Sequence, residues 1–222
     1  HPLFDGSIPE ETTGAHRRIY ISTLDPSRDW VLDEHRIMGQ PTLPATVYLE
    51  MARAAYTDYK GLDGKKFQPV ELRDVSILTP LIVEDGSKRE IRTTLKDAGE
   101  NTEFSITSRK RDDVWEEHAR GVISTISRPV STQSHDIQAL RDACIDGHGA
   151  GNLPDMNGAL IAGPRFRNLK AVEIGKRRGF AHIALPDEFM SDLELFPLHP
   201  ALLDVAISFL SYDRHTDGVP IG

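Results

Sequence analysis

The stretch from Pro44 to Lys60, PATVYLEMARAAYTDYK, reads as one long, largely apolar helix. What surrounds it constrains the fold. RIYISTL, residues 18–24, alternates and carries β-branched and aromatic residues, so it reads as a strand. After the turn-rich break GLDGKK come four more strand-like segments, at 67–83, 89–96, 102–109 and 113–126. Polar turns such as EDGSK and DAGEN separate several of them, as an antiparallel meander requires. An apolar helix needs a surface to bury against, and a meander supplies one. The expected class is α+β, with a curved sheet wrapped around the helix.

The pattern then begins again. Residues 128–136 are polar and unpatterned and read as a linker between an N-terminal unit, 1–127, and a C-terminal unit, 137–222. A short helix at 136–145 precedes two strand-like runs, 166–174 and 179–185, and a second apolar helix at 200–212. The halves share no sequence identity, so the repeat is one of architecture. The second unit reads as cut short at its C-terminal end. The opening HPLFDG, with no initiator methionine, and the closing DGVPIG both read as cuts through a longer polypeptide.

Composition excludes several classes. The formal net charge is −8, and an acidic surface argues against nucleic acid or an anionic membrane as partner. No window approaches the roughly 20 apolar residues of a membrane helix, and no signal-peptide pattern is present. The single cysteine, Cys144, can form no intrachain disulfide, which fits a reducing, cytoplasmic setting. Without an activating motif around it, Cys144 reads as a small buried residue rather than a nucleophile. The nine histidines are scattered, with no HExxH and no CxxC, so no metal is expected. GHGAGN, 147–152, lacks the preceding strand of a phosphate-binding loop, so no nucleotide cofactor is expected either.

Two stretches carry chemistry. HRIMGQPTLP sets His35, Gly39 and Pro44 just before the first apolar helix, and FPLHPALLDVAISFL sets Asp204 in the second. A histidine and a distant carboxylate, each beside a helix, suggest acid–base work on a buried substrate. Here the sequence resembles the dehydratase domain of a modular polyketide synthase, a family related to the animal fatty acid synthase dehydratase. The family's H-x-x-x-G-x-x-x-x-P is complete at His35, Gly39 and Pro44, preceded by DWVLDE, and its H-P-A-L-L-D stands at His199 to Asp204. The opening HPLF, the W-x-x-H-A-x-G run (Trp115, His118, Ala119, Gly121) and the G-P-x-F run (Gly163, Pro164, Phe166) also fit. The likeness covers nearly the whole chain, and the first two motifs, in order and about 170 residues apart, are specific together.

The resemblance implies a double hot-dog fold: two long helices, each wrapped by a curved antiparallel sheet, with His35 facing Asp204 across a tunnel between them. It implies dehydration of a 3-hydroxyacyl thioester carried on the phosphopantetheine of an acyl carrier protein, within a homodimeric synthase alongside neighbouring domains. Neutral imidazole at His35 suits removal of the C2 proton. A carboxyl among Leu202, Leu203, Val205 and Ala206 would have a raised pKa and protonate the departing C3 hydroxyl. Backbone N–H groups near Gly39, with the helix dipole behind them, would meet the thioester oxygen. Pro44 would sit in the first helical turn, and Gly163, Pro164 and Phe166 would shape a loop beside the tunnel.

Two positions depart from the family. Ser208 stands where a Gln or His usually follows the aspartate, and Ala162 replaces the tyrosine of Tyr-Gly-Pro. Ser208 lies one helical turn after Asp204 on the same face, and its shorter hydroxyl would serve the carboxyl through a water. These changes keep two alternatives open: a dehydratase that also closes a pyran ring or shifts the double bond, and a degenerate scaffold domain. Among the remaining candidates, His199 reads as packing or capping and His118 as structural or tunnel-lining. Tyr48 and Met51 read as core, and Lys176, Arg177 and Arg178 as solvated surface or a contact for an acidic carrier protein.

Overall fold

The computed structural model describes residues 1–12, 15–62, 69–112, 114–126, 134–142, 149–150, 160–174 and 179–208. Cys144, Lys176, Arg177, Arg178, most of the expected linker and everything after Ser208 lie outside the described residues.

The chain begins with β1 (Gly6–Thr12) and β2 (Ala15–Leu24), then a single turn of helix, α1 (Trp30–Asp33). A small hairpin follows, β3 (His35–Ile37) and β4 (Gln40–Pro41), and leads into α2 (Ala45–Tyr59). Four long strands complete the first layer: β5 (Val70–Ile77), β6 (Arg89–Ala98), β7 (Asn101–Arg111) and β8 (Val114–Thr125). With β1 and β2 they form one antiparallel sheet in the order β1-β2-β6-β7-β8-β5.

Side chains alternate across that sheet, as a strand's two-residue period dictates. In β7 Thr102, Phe104, Ile106 and Ser108 point inward, and in β6 Ile91, Thr93 and Leu95 do the same. Against them α2 presents Val47, Tyr48, Met51, Ala52, Ala55 and Tyr56, all buried in one cluster with Tyr20, Ala119 and Ile123. Tyr48 and Met51 are therefore core, as expected. His118 is also structural: it is buried, its Nε2 lies 2.8 Å from the Ser108 hydroxyl, and Nδ1 lies 3.1 Å from the Thr79 carbonyl oxygen.

The second layer is smaller. After α3 (Ile137–Asp142) and the short β9 (Gly149–Ala150) come β10 (Leu160–Ala162) and a 3₁₀ turn at Pro164–Phe166. Then follow β11 (Leu169–Ile174), β12 (Gly179–Ile183), α4 (Asp192–Leu195) and α5 (Pro200–Ser208). β9, β11 and β12 form a three-stranded sheet on which α5 packs, with Val205 buried against Leu169 and Val172. The helix-on-sheet arrangement of the first layer is thus used twice. Among the described residues no helix is long and apolar enough to cross a membrane.

Two boundaries differ from the sequence reading. The segment 67–83 is not one strand: β5 ends at Ile77, and beyond Pro80 the chain hooks onto the hairpin. There the Leu43 N–H donates to the Leu81 carbonyl and the Val83 N–H to the Pro41 carbonyl. Strand β1 escaped the sequence reading because Pro9 and its acidic residues disguise it; it is an edge strand, the position where proline is tolerated.

Leu95→Ala, which empties space between the sheet and α2, is expected to cost about 2–5 kcal/mol. Ile8→Ala on exposed β1 should stay within about 0.5 kcal/mol of the parent protein. Urea unfolding of both variants measures the difference.

Candidate active site

His35 opens β3, and the hairpin that follows sets its side chain. Ile37 pairs with Gln40, leaving Met38 and Gly39 as a two-residue loop, both with positive φ (51° and 79°). This is the type I′ geometry that twists with its strands and that glycine accepts without strain. The fold of the hairpin brings Thr42 opposite His35. The Thr42 N–H donates to the His35 carbonyl at 3.0 Å, and the His35 Nδ1 lies 2.7 Å from the Thr42 carbonyl oxygen. A carbonyl oxygen only accepts, so Nδ1 carries the hydrogen and Nε2 of the neutral ring is left with a bare lone pair. The ring is buried, and Phe166 packs on it with centroids 5.3 Å apart.

Asp204 lies on α5, partly buried. Burial raises its pKa above the ordinary carboxylate range, and nearby His35 pulls in the opposite direction, so the two groups sense each other. The start of α5 is held by His199, whose Nδ1 accepts from the Leu202 N–H at 3.4 Å. The His199 ring stacks on Trp30 at 5.4 Å. Packing and capping are thus its observed contacts. At the other end, the Ser208 hydroxyl donates to the Asp204 backbone carbonyl at 2.6 Å.

The halves meet by main-chain pairing. β10 runs antiparallel to β3 and sets Ala162 directly opposite His35. The Gly163 N–H then donates to the Glu34 carbonyl at 2.7 Å. At Gly163 a β-carbon would fall 2.4 Å from Glu34 Cγ and 2.5 Å from its Cβ, so only glycine fits this close approach. Pro164 is exposed on the turn, whereas Phe166 is buried. Pro44 stands at the cap position before α2 rather than inside its first turn, and Gly39 lies at the exposed hairpin tip.

Several residues beside the site escaped sequence reasoning. Glu34 is buried and binds Arg165 twice, accepting from its backbone N–H at 2.7 Å and from Nη1 at 2.5 Å. Asn168 donates to the carbonyls of both Arg165 and Ala201, each at 2.9 Å. Glu50, fully buried on α2, accepts from Arg53 at 2.7 and 2.8 Å and from the Leu198 N–H at 3.2 Å. A glutamate between Leu49 and Met51, on a helix that is largely apolar, is the one available signal for it.

With this geometry in place, the relatives fall into line. Residues 1–109 match the family described as polyketide synthase dehydratase domain, and residues 156–218 the one described as polyketide synthase dehydratase N-terminal domain. The chain belongs to the polyketide synthase dehydratase family. It is 28% identical over 227 residues to the polyketide synthase ThaG of Burkholderia thailandensis, covering 97% of this chain and 4% of ThaG. It is 26% identical over 220 residues to the polyketide synthase PksM of Bacillus subtilis, covering 93% of this chain and 5% of PksM. The chain therefore spans a small fraction of the length of these curated relatives. The dehydratase domain from the CurF module of curacin polyketide synthase superposes with a TM-score of 0.82 at 25% identity, over 96% of this chain and 76% of that one. A trans-AT dehydratase domain from Brevibacillus brevis shares the fold at TM-score 0.82, with 24% identity over 98% of this chain and 76% of its own. The fold is the α+β double hot-dog.

Gly163→Ala should force β10 away from Glu34. We expect a loss of about 1–3 kcal/mol, as for other overpacked sites. The loss should be accompanied by reduced dehydratase activity, read by denaturant unfolding and by product formation on the same preparation.

Proposed function

We propose that this chain removes water from a 3-hydroxyacyl thioester, with His35 as base and Asp204 as acid. The observation that carries the reading is the His35–Thr42 hydrogen bond, which leaves Nε2 free to take a proton. Nε2 abstracts the C2 proton that the thioester carbonyl acidifies. Asp204, its pKa raised by burial, donates a proton to the C3 hydroxyl, which leaves as water. One proton enters the pair and one leaves it, no electrons are transferred, and the step calls for no cofactor.

Gly39, Pro44, Gly163, Pro164, Phe166 and Ser208 are proposed to shape the substrate's surroundings. Phe166 does so most directly, through its contact with the His35 ring. The substrate is proposed to arrive on the phosphopantetheine of an acyl carrier protein, within a cytoplasmic homodimeric synthase; the relatives, named as polyketide synthases, support neighbouring synthase domains as its setting.

The test is incubation with both enantiomers of a 3-hydroxyacyl pantetheine thioester, followed by mass. Loss of water from one enantiomer, reduced about 10²–10⁴-fold in His35→Ala and in Asp204→Asn, is expected. Full activity in either variant contradicts the assigned roles. Absence of water loss in the parent protein favours the scaffold alternative, and a cyclic product from a substrate with a distal hydroxyl favours ring closure.

Asp204 also yields a stability prediction. The folded protein holds this carboxyl proton more tightly than the unfolded chain, because burial raises the pKa. Stability from this group is therefore complete below the ordinary carboxylate pKa and is lost as pH rises through the raised value. Asparagine never loses that proton. Asp204→Asn should melt above the parent protein on the alkaline side of this window, and the gap should close below it, as read by thermal melts across pH.

A further inference from the structure

We propose that Glu34 and Arg165 are positioning residues that set His35 and Asp204 at working separation. The inference rests on the dehydratase roles proposed above for those two residues.

The chain of contacts is continuous. Glu34 precedes His35, and its carboxylate holds both the backbone N–H and the guanidinium of Arg165. Arg165 precedes Phe166, whose ring lies on His35. From the Arg165 carbonyl, the Asn168 amide crosses to the Ala201 carbonyl, one helical turn before Asp204. Each polar link measures 2.5–2.9 Å. The guanidinium is fixed on its other sides as well. Its Nε donates to Asp192 at 2.6 Å, and its carbon lies 4.0 Å from the Phe189 ring centroid and 4.9 Å from that of Trp30.

An arginine serves here where a lysine would not, because its planar fork satisfies two carboxylates at once while stacking on rings. Glu34 is buried and Arg165 and Asp192 are largely covered, so the geometry is held more stiffly than that of a surface pair. Glu34 has no place for substrate: its side chain is occupied by Arg165, and its β- and γ-carbons abut Gly163. Its contribution is to geometry, and errors near 1 Å in such geometry cost about a hundredfold in rate.

Glu34→Ala is the test variant, because Arg165 keeps its partner Asp192 and the interior is left without an unpaired charge. Glu34→Gln retains one acceptor and serves as the conservative comparison. With the small pantetheine thioester, kcat of Glu34→Ala is expected to fall about ten- to hundredfold while KM stays within about twofold. Glu34→Gln should recover most of the loss. In parallel, the His35 ring proton signals, assigned with His35→Ala, should shift in Glu34→Ala as the Phe166 ring moves relative to the imidazole. A kcat within about twofold of the parent, a change confined to KM, or His35 signals at their parental positions would overturn the proposal. If the parent protein forms no enoyl product, the dehydratase roles fail, and the His35 signals still decide whether Glu34 holds the site.

Discussion

Two short strands join the parts of the chain that carry the site. β3 and β10 share only three residue pairs, yet that register sets Ala162 opposite His35 and draws the C-terminal half of the chain onto the N-terminal half. Three pairs are a weak union on their own, and the surroundings reinforce them. Gly163 permits an approach that any side chain would block, and Glu34 and Arg165 close the gap with a part-buried ion pair reinforced by the Arg165 backbone N–H. Burying two charges costs several kcal/mol each unless they are fully partnered. The second carboxylate, Asp192, and the two aromatic faces around the guanidinium supply that partnership.

A run of rings lines the junction. Phe4 touches His1, His1 touches Phe196, Phe196 touches Trp30, Trp30 touches Phe166, and Phe166 touches His35, with centroids 5.2–6.1 Å apart. These residues come from both halves of the chain, so the apolar wall is itself a product of the docking. On α5, burial raises the Asp204 pKa above the ordinary carboxylate range. Below this junction, α2 is held by Glu50, whose carboxylate reaches the Leu198 N–H just before the HPALLD segment that begins α5. The fold and the proposed chemistry therefore share the same few polar contacts.

Much of this was legible in the sequence, for reasons that can be stated. Strands β6, β7 and β8 alternate cleanly and are bounded by turn residues, so their limits were read to within two residues. The apolar helix α2 and the spacing of His35, Gly39 and Pro44 were equally plain. Proline obscures the pattern twice: Pro9 disguises an edge strand, and the run 67–83 reads as continuous strand through the break at Pro80. The GPRF segment reads as a loop from sequence, but its need for glycine does not show there, because the clash partner, Glu34, lies 129 positions away. Glu34 and Arg165 look like surface charges until the tertiary fold buries them. Thr42 acts through its backbone carbonyl, which leaves no mark on residue identity.

The proposed chemistry stands on the protonation of one ring. Nitrogen-15 NMR of the imidazole of His35, assigned with His35→Ala and recorded at a pH where the ring is neutral, reads it directly. The geometry predicts hydrogen on Nδ1 and an unprotonated Nε2 whose resonance has the shift of a bare lone pair. A ring with its hydrogen on Nε2 would have no base to offer at that position and would contradict the assignment of His35.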